Sequence, residues 1–306
     1  MVSPSQKRHA AQGVVAAGLC SQRQACRYLG LARSSWGYAP RPPRPKQVQL
    51  SEGVTELARR HPRFGYRRVH AMLRRKGLSC ALRTVQRMRR EQGLQIMGPA
   101  RRPKLPPRPE AKVKATGIND VWCVDVVFDT TQGGTMVKFL TIIDEYSHTC
   151  LDIVASRTMG AREVTAALSS LVQVHGAPGH LRSDNGGEFI AGCLRQWLAH
   201  SGIQSRFIEP GSPWQNGINE SFNGRFRDEC LNRELLANLL EAQWIARAFR
   251  DEYNEIRPHS TIGYRTPAEY RAELLGQAPG SGQARQAGPS LRLELALVPV
   301  SNHNRN

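Results

Sequence analysis

The sequence predicts an α/β protein: a mixed five-stranded sheet with helices, preceded by basic, all-α modules. Three observations predict it. The charge is split, with 26 Lys/Arg and 4 Asp/Glu over residues 1–118 but 17 Lys/Arg and 21 Asp/Glu over 119–306, within a total of +18. The apolar pattern changes at residue 119 from helical spacing to strand-like runs. Three acids, Asp125, Asp184 and Glu220, stand in places where an acid is unusual. An even spread of positive charge would suit a solvated surface. A basic front and a slightly acidic back suit a nucleic-acid grip joined to a different module.

The elements follow in order. Ser21 and Gln24 form a capping-box pattern, Ala25 and Leu29 share a helix face, and Gly30 is a turn residue. Residues 21–38 therefore read as a helix-turn-helix, with Leu31–Trp36 as its groove-facing helix and Arg33 as its candidate DNA contact; an ordinary helical hairpin is the alternative. Residues 39–48 are rich in Pro and basic residues and read as a linker. Over 49–94, Val69, Met72 and Leu73 line one face of a helix over Tyr66–Lys76, which Gly77 ends. A further helix carries Leu82, Val85 and Met88 on one side and Arg83, Arg87 and Arg90 on the other. Such a stripe suits phosphate contacts. A solvated face is the bland alternative, but only Glu91 offsets the charge. Residues 98–116 repeat Pro with Lys/Arg, as an extended tether does.

From 119 the strands come at Val121–Phe128, Met136–Ile143 and Thr149–Ala155, with Gln132-Gly133-Gly134 as the first turn. Val164, Leu168, Leu171 and Val172 mark a helix, Leu181–Ser183 a short strand ending at Asp184, Leu194, Trp197 and Leu198 a helix, and Ile203–Ile208 a strand. Ala242, Ile245, Ala246, Phe249 and Tyr253 mark a closing helix. Three strands, then helix, strand, helix, strand, helix is the order of a ribonuclease-H-like fold. Residues 276–306 are rich in Gly, Gln, Ala and Pro and read as a disordered tail. The seven cysteines are scattered with no CxxC, the N-terminus lacks an apolar signal core, and no apolar run approaches ~20 residues. The expectation is a soluble, cytoplasmic, nucleoid-associated protein without disulfides.

In such a fold the first and fourth strands lie side by side, which brings Asp125 near Asp184. Glu220 must then come from a following helix. On that helix Ile218, Phe222 and Phe226 form an apolar stripe within about 80° of arc. Glu220 lies roughly 160–200° from Ile218 and within about 20° of Arg227, with Asn223 between. Singly, each residue has a plain explanation: a strand-end acid, a turn former in Asp-Asn-Gly-Gly, a surface glutamate, an arginine paired to it. Together they suit two divalent cations held against a phosphodiester, because hard cations take oxygen ligands.

Asp125, Asp184 and Glu220, with 35 residues between the last two and a basic residue seven after the Glu, resemble the DDE transposases and retroviral-type integrases. Trp122, Ser183-Asp184-Asn185-Gly186-Gly187-Glu188-Phe189, Asn216 to Asn232, and Tyr253-Asn254-Glu255-Ile256-Arg257-Pro258-His259-Ser260 with Thr266-Pro267 resemble the OrfB-type transposases of the IS-three family of insertion sequences. The resemblance implies a ribonuclease-H-like core, two Mg2+ or Mn2+ ions on Asp125, Asp184 and Glu220, a DNA contact by Arg227, and binding of an element's terminal inverted repeats; Asn223, on the same side of that helix, is a further candidate DNA contact. It also implies 3′-end cleavage with water followed by strand transfer. Implied partners are double-stranded DNA, further copies of the chain on that DNA, and an upstream OrfA-type protein or frameshift fusion, since no long heptad occurs here. Retroviral integrases carry a His/Cys zinc unit; this chain has only His9, His61 and His70 before Asp125 and no CxxC, so no zinc is expected.

The resulting domain reading is 1–48 helix-turn-helix and linker, 49–97 second helical DNA-binding unit, 98–117 basic linker, 118–275 ribonuclease-H-like integrase catalytic domain, and 276–306 tail. Asp129 shares a strand face with Asp125, and Asp144 and Glu188 suit structural roles. His259 suits folding at least as well as catalysis, and Trp214 either stacks on an unpaired base or packs a turn. The alternative from another class is a catalytically silent, transposase-derived DNA-binding protein or regulator. A nuclease that cuts without joining is a further rival.

Overall fold

In the computed structural model, residues 3–38, 42, 44–96, 114–208 and 216–276 are described. Most of the tether, Trp214 and the tail beyond Gly276 lie outside them. The chain divides into two compact units, Met1–Gly53 and Val54 onward.

In the first unit, α1 (Pro4–Ala16) and α2 (Gln22–Tyr28) both begin with complete capping boxes, Ser3 with Gln6 and Ser21 with Gln24. Ala11, Ala25, Cys26 and Leu31 form their small core. The helix expected over Leu31–Trp36 is instead one 3-10 turn, Arg33–Ser35. Six residues, no side-chain cap at Ala32 and Gly37 close behind are too little to nucleate an α-helix. The helix paired with α2 is α1, and Arg33 stands exposed at the start of the turn.

The α-helix α3 (Pro45–Arg60) starts inside the stretch expected to be a linker. The α-helices α4 (Tyr66–Arg75) and α5 (Leu82–Glu91) follow, with Gly77 in the left-handed region where the chain turns away from α4. Val69, Met72, Leu73, Val85 and Met88 are buried, as their spacing predicts. Leu82 is not, and Arg89 is buried in its stead, donating to the carbonyls of Phe64 (2.5 Å) and Leu94 (3.0 and 2.7 Å).

Strands β1 (Val121–Thr130), β2 (Met136–Asp144), β3 (Cys150–Ser156), β4 (His180–Ser183) and β5 (Gln204–Phe207) make one sheet in the order β3-β2-β1-β4-β5. β1 pairs antiparallel with β2 and parallel with β4, and β4 is parallel to β5. Because side chains alternate along a strand, the sheet has two apolar faces. Trp122, Val124, Leu140, Ile142 and Leu181 meet α6 (Ala161–His175) and α8 (Gly192–His200). Val127, Val137, Phe139, Ile143 and Ile153 meet α9 (Gly217–Phe226) and α10 (Leu239–Asp251). The short α7 (Gly187–Ile190) precedes α8, and α11 (Pro267–Leu274), capped by Thr266 and Glu269, closes the described chain.

The α9 and α10 helices each end in a wide π-helical turn, Arg227–Leu231 and Glu252–Ile256. A buried ion pair joins the region: Arg257, 1 % exposed, donates two hydrogen bonds to Glu229, at 2.7 and 2.6 Å. Helix α4 and the chain before it dock there. Arg68 lies 3.6 Å from Glu229, Arg63 pairs with Asp228, and His61 Nδ1 lies 2.8 Å from Glu252. Burial, and then the like charge of Arg257, pull Arg68 down to about 10. Arg75 donates to the Tyr264 carbonyl (3.0 Å) and to Glu269 (2.6 Å). Among the described residues, no helix is long and apolar enough to cross a membrane.

Candidate active site

Asp125 sits mid-way along β1, on the face that meets α9. Asp184 is the first residue after β4, the parallel neighbour of β1. The two acids thus come from adjacent strands, as the element order predicts. Burial pushes the Asp125 carboxyl up to about 6, and the like charges of Asp184 and Glu188 push the same way. Two hydrogen bonds pull against this: the Val126 backbone N–H donates to Asp125 Oδ1 (2.9 Å), and Asn223 Nδ2 donates to Oδ2 (2.8 Å).

Asp184 is held by its own turn. The Gly186 N–H donates to Asp184 Oδ1 at 3.0 Å. Gly186 has almost no room for a side chain: a Cβ there would lie 2.8 Å from Glu188 Oε1 and 3.1 Å from Asp184 Oδ1. The Asp-Asn-Gly-Gly-Glu turn thereby gathers Asp184 and Glu188 on one spot.

Phe222 and Phe226 are fully buried and anchor α9 on the sheet, with Ile218 half-buried beside them. Phe226 meets the Phe139 ring edge-on, at 5.3 Å between centroids. This anchorage sets Asn223 on Asp125. Glu220 is exposed, one turn ahead of Asn223. Among the described residues, no three His, Cys, Asp or Glu side chains are gathered into a ready metal cluster. Arg227 Nη2 donates to the Phe128 carbonyl of β1 (2.8 Å), and the residue remains exposed.

The donors fit a divalent cation. The site offers hard carboxylate oxygens, and burial first, then the like charges of Asp184 and Glu188, raises Asp125. An ionised carboxylate has about four lone-pair sites; one neighbour donates to each Asp125 oxygen, and lone pairs remain on both.

Other predicted residues fall as follows. Arg83, Arg87 and Arg90 are exposed and line one groove with Thr84, Gln86 and Gln95; Arg87 also lies 3.7 Å from Glu91. Asp144 is buried and caps a turn, accepting from the N–H groups of Asn119 and Ser147, both at 2.7 Å. His259 is buried edge-on to Tyr253, and burial holds it down to about 2, so it stays neutral inside the core. Glu188, expected close to the motifs in a structural role, stands beside Asp184, where the Gly-Gly turn brings residue i+4 back. One residue escapes the sequence reading. Thr141 donates from Oγ1 to Asn223 Oδ1 (3.1 Å); its signal is a lone hydroxyl in an inward apolar row of β2.

The chain matches the integrase core domain over residues 115–213 and again over 201–267, and an HTH-like domain over 46–104. It is 37 % identical over 253 residues to an uncharacterized 31.7 kDa protein of insertion element IS407 from Burkholderia multivorans, covering 83 % of this chain and 91 % of that one. It is 36 % identical over 289 residues to an uncharacterized 39.2 kDa protein of insertion element IS476 from Xanthomonas euvesicatoria, covering 94 % and 82 %. Transposase InsD of insertion element IS2 from Escherichia coli is 28 % identical over 225 residues, covering 68 % and 73 %. Among solved structures, the HTLV-2 integrase catalytic core domain in complex with magnesium superposes with a TM-score of 0.43 at 19 % identity, over 52 % of this chain and 99 % of that one. With an integrase core, an HTH-like domain and insertion-element proteins as its relatives over most of its length, the chain belongs to the OrfB-type transposases of the IS-three family, polynucleotidyl transferases of DNA transposition.

Proposed function

We propose that this chain binds the terminal inverted repeats of an insertion element, cleaves the element's 3′ ends and joins them to target DNA. The observation that carries this reading is the meeting of Asp125 and Asp184 from adjacent parallel strands, with Asn223 of the Glu220 helix bonded to Asp125. Asp125, Asp184 and Glu220 would hold two Mg2+ or Mn2+ ions, which when bound activate the attacking oxygen and stabilise the leaving one. The protein's own contribution is orientation. The strands fix the two aspartates, α9 carries Glu220, and Arg227 offers a cation beside β1 for a DNA phosphate. In cleavage, water oxygen attacks phosphorus and the element's 3′ oxygen leaves as a hydroxyl. In joining, that hydroxyl attacks a target phosphorus and displaces the target strand's 3′ oxygen, so phosphodiester bonds are exchanged without an energy source.

In the same reading, Arg33 and the stripe of Arg83, Arg87 and Arg90 contact DNA phosphates. The helices before residue 97 form the DNA-gripping modules, with α3 running across the expected 48/49 boundary, and residues 118–275 form the catalytic domain. Asn223 serves DNA engagement indirectly, by holding Asp125. The functional unit is an assembly of copies on paired ends, with an upstream OrfA-type protein or fusion as partner.

The test is incubation of the purified chain, alone and with the upstream protein, on DNA carrying the element ends, in Mg2+ and in EDTA, beside a Glu220→Gln control. Mg2+-dependent nicking and joining, absent in the control, is the expected result. The exposed position of Glu220 favours the silent-regulator reading. Binding without chemistry under every condition would favour that rival, and nicking without joining would favour a nuclease.

A further inference from the structure

Thr141 is fully buried on β2, directly opposite Asp125 in the β1–β2 register. Its row on the inward face is otherwise apolar: Val137, Phe139 and Ile143 all pack in the cluster under α9 and α10. Valine has nearly the shape of threonine and would fill that place without a polar atom. A hydroxyl taken out of water costs free energy unless it finds a partner. Thr141 Oγ1 has two within reach, Asn223 Oδ1 at 3.1 Å and the Asp125 backbone carbonyl at 3.2 Å.

The direction of these bonds follows from donor chemistry. An ionised carboxylate only accepts, so the Asn223 group facing Asp125 must be its NH2. The Asn223 carbonyl oxygen then faces Thr141 and needs a donor, and the Thr141 hydroxyl is the donor there. A chain results: Thr141 O–H to Asn223 Oδ1, Asn223 Nδ2–H to Asp125 Oδ2, and Val126 N–H to Asp125 Oδ1. The carboxylate selects this amide orientation, and the single Thr141 proton, for which the Asp125 carbonyl competes at 3.2 Å, satisfies the Asn223 oxygen in it; without the hydroxyl that oxygen would face an apolar side chain and lose its donor.

We infer that Thr141 is a positioning residue for the reaction: its hydroxyl locks the Asn223 amide, which in turn sets the plane of the Asp125 carboxylate and leaves lone pairs free on the side of Asp184 and Glu188. This rests on the proposed use of Asp125 as a metal ligand. The sequence pattern does not announce the role, because Thr is a common strand residue; the pairing register and the helix above it do. Outer partners that orient metal ligands are worth roughly 10–100-fold in metal affinity or activity.

The experiment measures Mn2+ affinity, by the electron paramagnetic resonance of free Mn2+, alongside melting temperature and the joining of element ends. Thr141→Val should melt close to the parent, bind Mn2+ about 10-fold more weakly and join ends about 10-fold more slowly. Thr141→Ala, which also lacks the hydroxyl, should show the same Mn2+ loss, and it carries the test if the valine does not fold. Thr141→Ser should recover the parent affinity, since it restores the hydroxyl. On an Asn223→Ala background, Thr141→Val should cost nothing more, because residues acting in one chain are not additive.

Parent-like Mn2+ binding by both Thr141→Val and Thr141→Ala would overturn the inference. So would failure of serine to rescue, or effects that multiply with Asn223→Ala. Asp125→Asn is the control: if the parent's Mn2+ binding does not depend on Asp125, the metal-ligand reading falls and takes this role of Thr141 with it. Asp125-dependent binding indifferent to Thr141 would remove only the latter.

Discussion

At Asp125, burial and the neighbouring charges of Asp184 and Glu188 raise the carboxyl to about 6, against 3.8 for an ordinary aspartate. The folded state therefore favours the protonated acid. That contribution is complete below about pH 3.8, where the unfolded chain is protonated too, and is lost as pH rises through about 6. Asparagine never has to ionise. In EDTA, Asp125→Asn is expected to melt roughly 2–5 °C above the parent at pH 7.5 and level with it near pH 4, as differential scanning calorimetry would show. A parent that melts higher at both pH values would mean that Asp125 is not strained by its neighbours. Glu229 makes the complementary case. Arg257 is almost fully buried against it, and Glu229→Gln would leave that cation without its counter-charge. A loss of about 3–5 kcal/mol in urea unfolding is expected, and a loss under about 1 kcal/mol would assign the pair to the weak, solvent-exposed kind.

Helix α9 is the element on which the site depends, because one face anchors it and the next carries Asn223 and Glu220. The stripe of Ile218, Phe222 and Phe226 is legible in the sequence, since its helical spacing is strict and its residues are large. Phe226→Ala should cost about 3–5 kcal/mol and abolish end joining together with stability, while surface α9 changes should spare stability. The Ser21–Gln24 box and the five strands are legible for similar reasons: caps and alternation are local signals. Helices α1 and α11 escape a reading by periodicity, although Ser3-Pro4 with Gln6, and Thr266-Pro267 with Glu269, carry the same start signature. Their faces are weakly apolar, so only their caps announce them. The Leu31–Trp36 helix fails the other way, with a pattern too short to hold a helix. Thr141 and the buried Arg89 are invisible to local reading, because one takes its role from the strand register opposite Asp125 and the other from the carbonyls of Phe64 and Leu94.

For the whole molecule, the proposed function gives the basic front half and the carboxylate site distinct tasks. Helix α4 and the residues before it are fastened to the catalytic core by Arg63, Arg68 and Arg75 and by His61, on acids and carbonyls of the π-helical turns and the chain beyond them. Those arginines are engaged within the protein. The stripe of Arg83, Arg87 and Arg90 is exposed, with Arg87 3.7 Å from Glu91, and is the proposed contact for backbone phosphates. Replacing the three by Ala should weaken DNA binding for every sequence alike. It should also flatten the salt dependence of binding by about 0.9 for each phosphate no longer neutralised. An unchanged slope in fluorescence anisotropy titrations would take the stripe out of the interface.

Asp125, Asp184 and Glu220 are proposed to form a metal-dependent strand-transfer site. Its most direct test is the joining of pre-cut element ends, carrying free 3′ hydroxyls, to a plasmid in Mg2+ with the upstream partner present, comparing the parent with Asp184→Asn. Joined product is expected from the parent and none from Asp184→Asn, with both proteins binding the ends equally. Joining by Asp184→Asn at the parent's rate would contradict it, as would a parent that binds the ends and joins none.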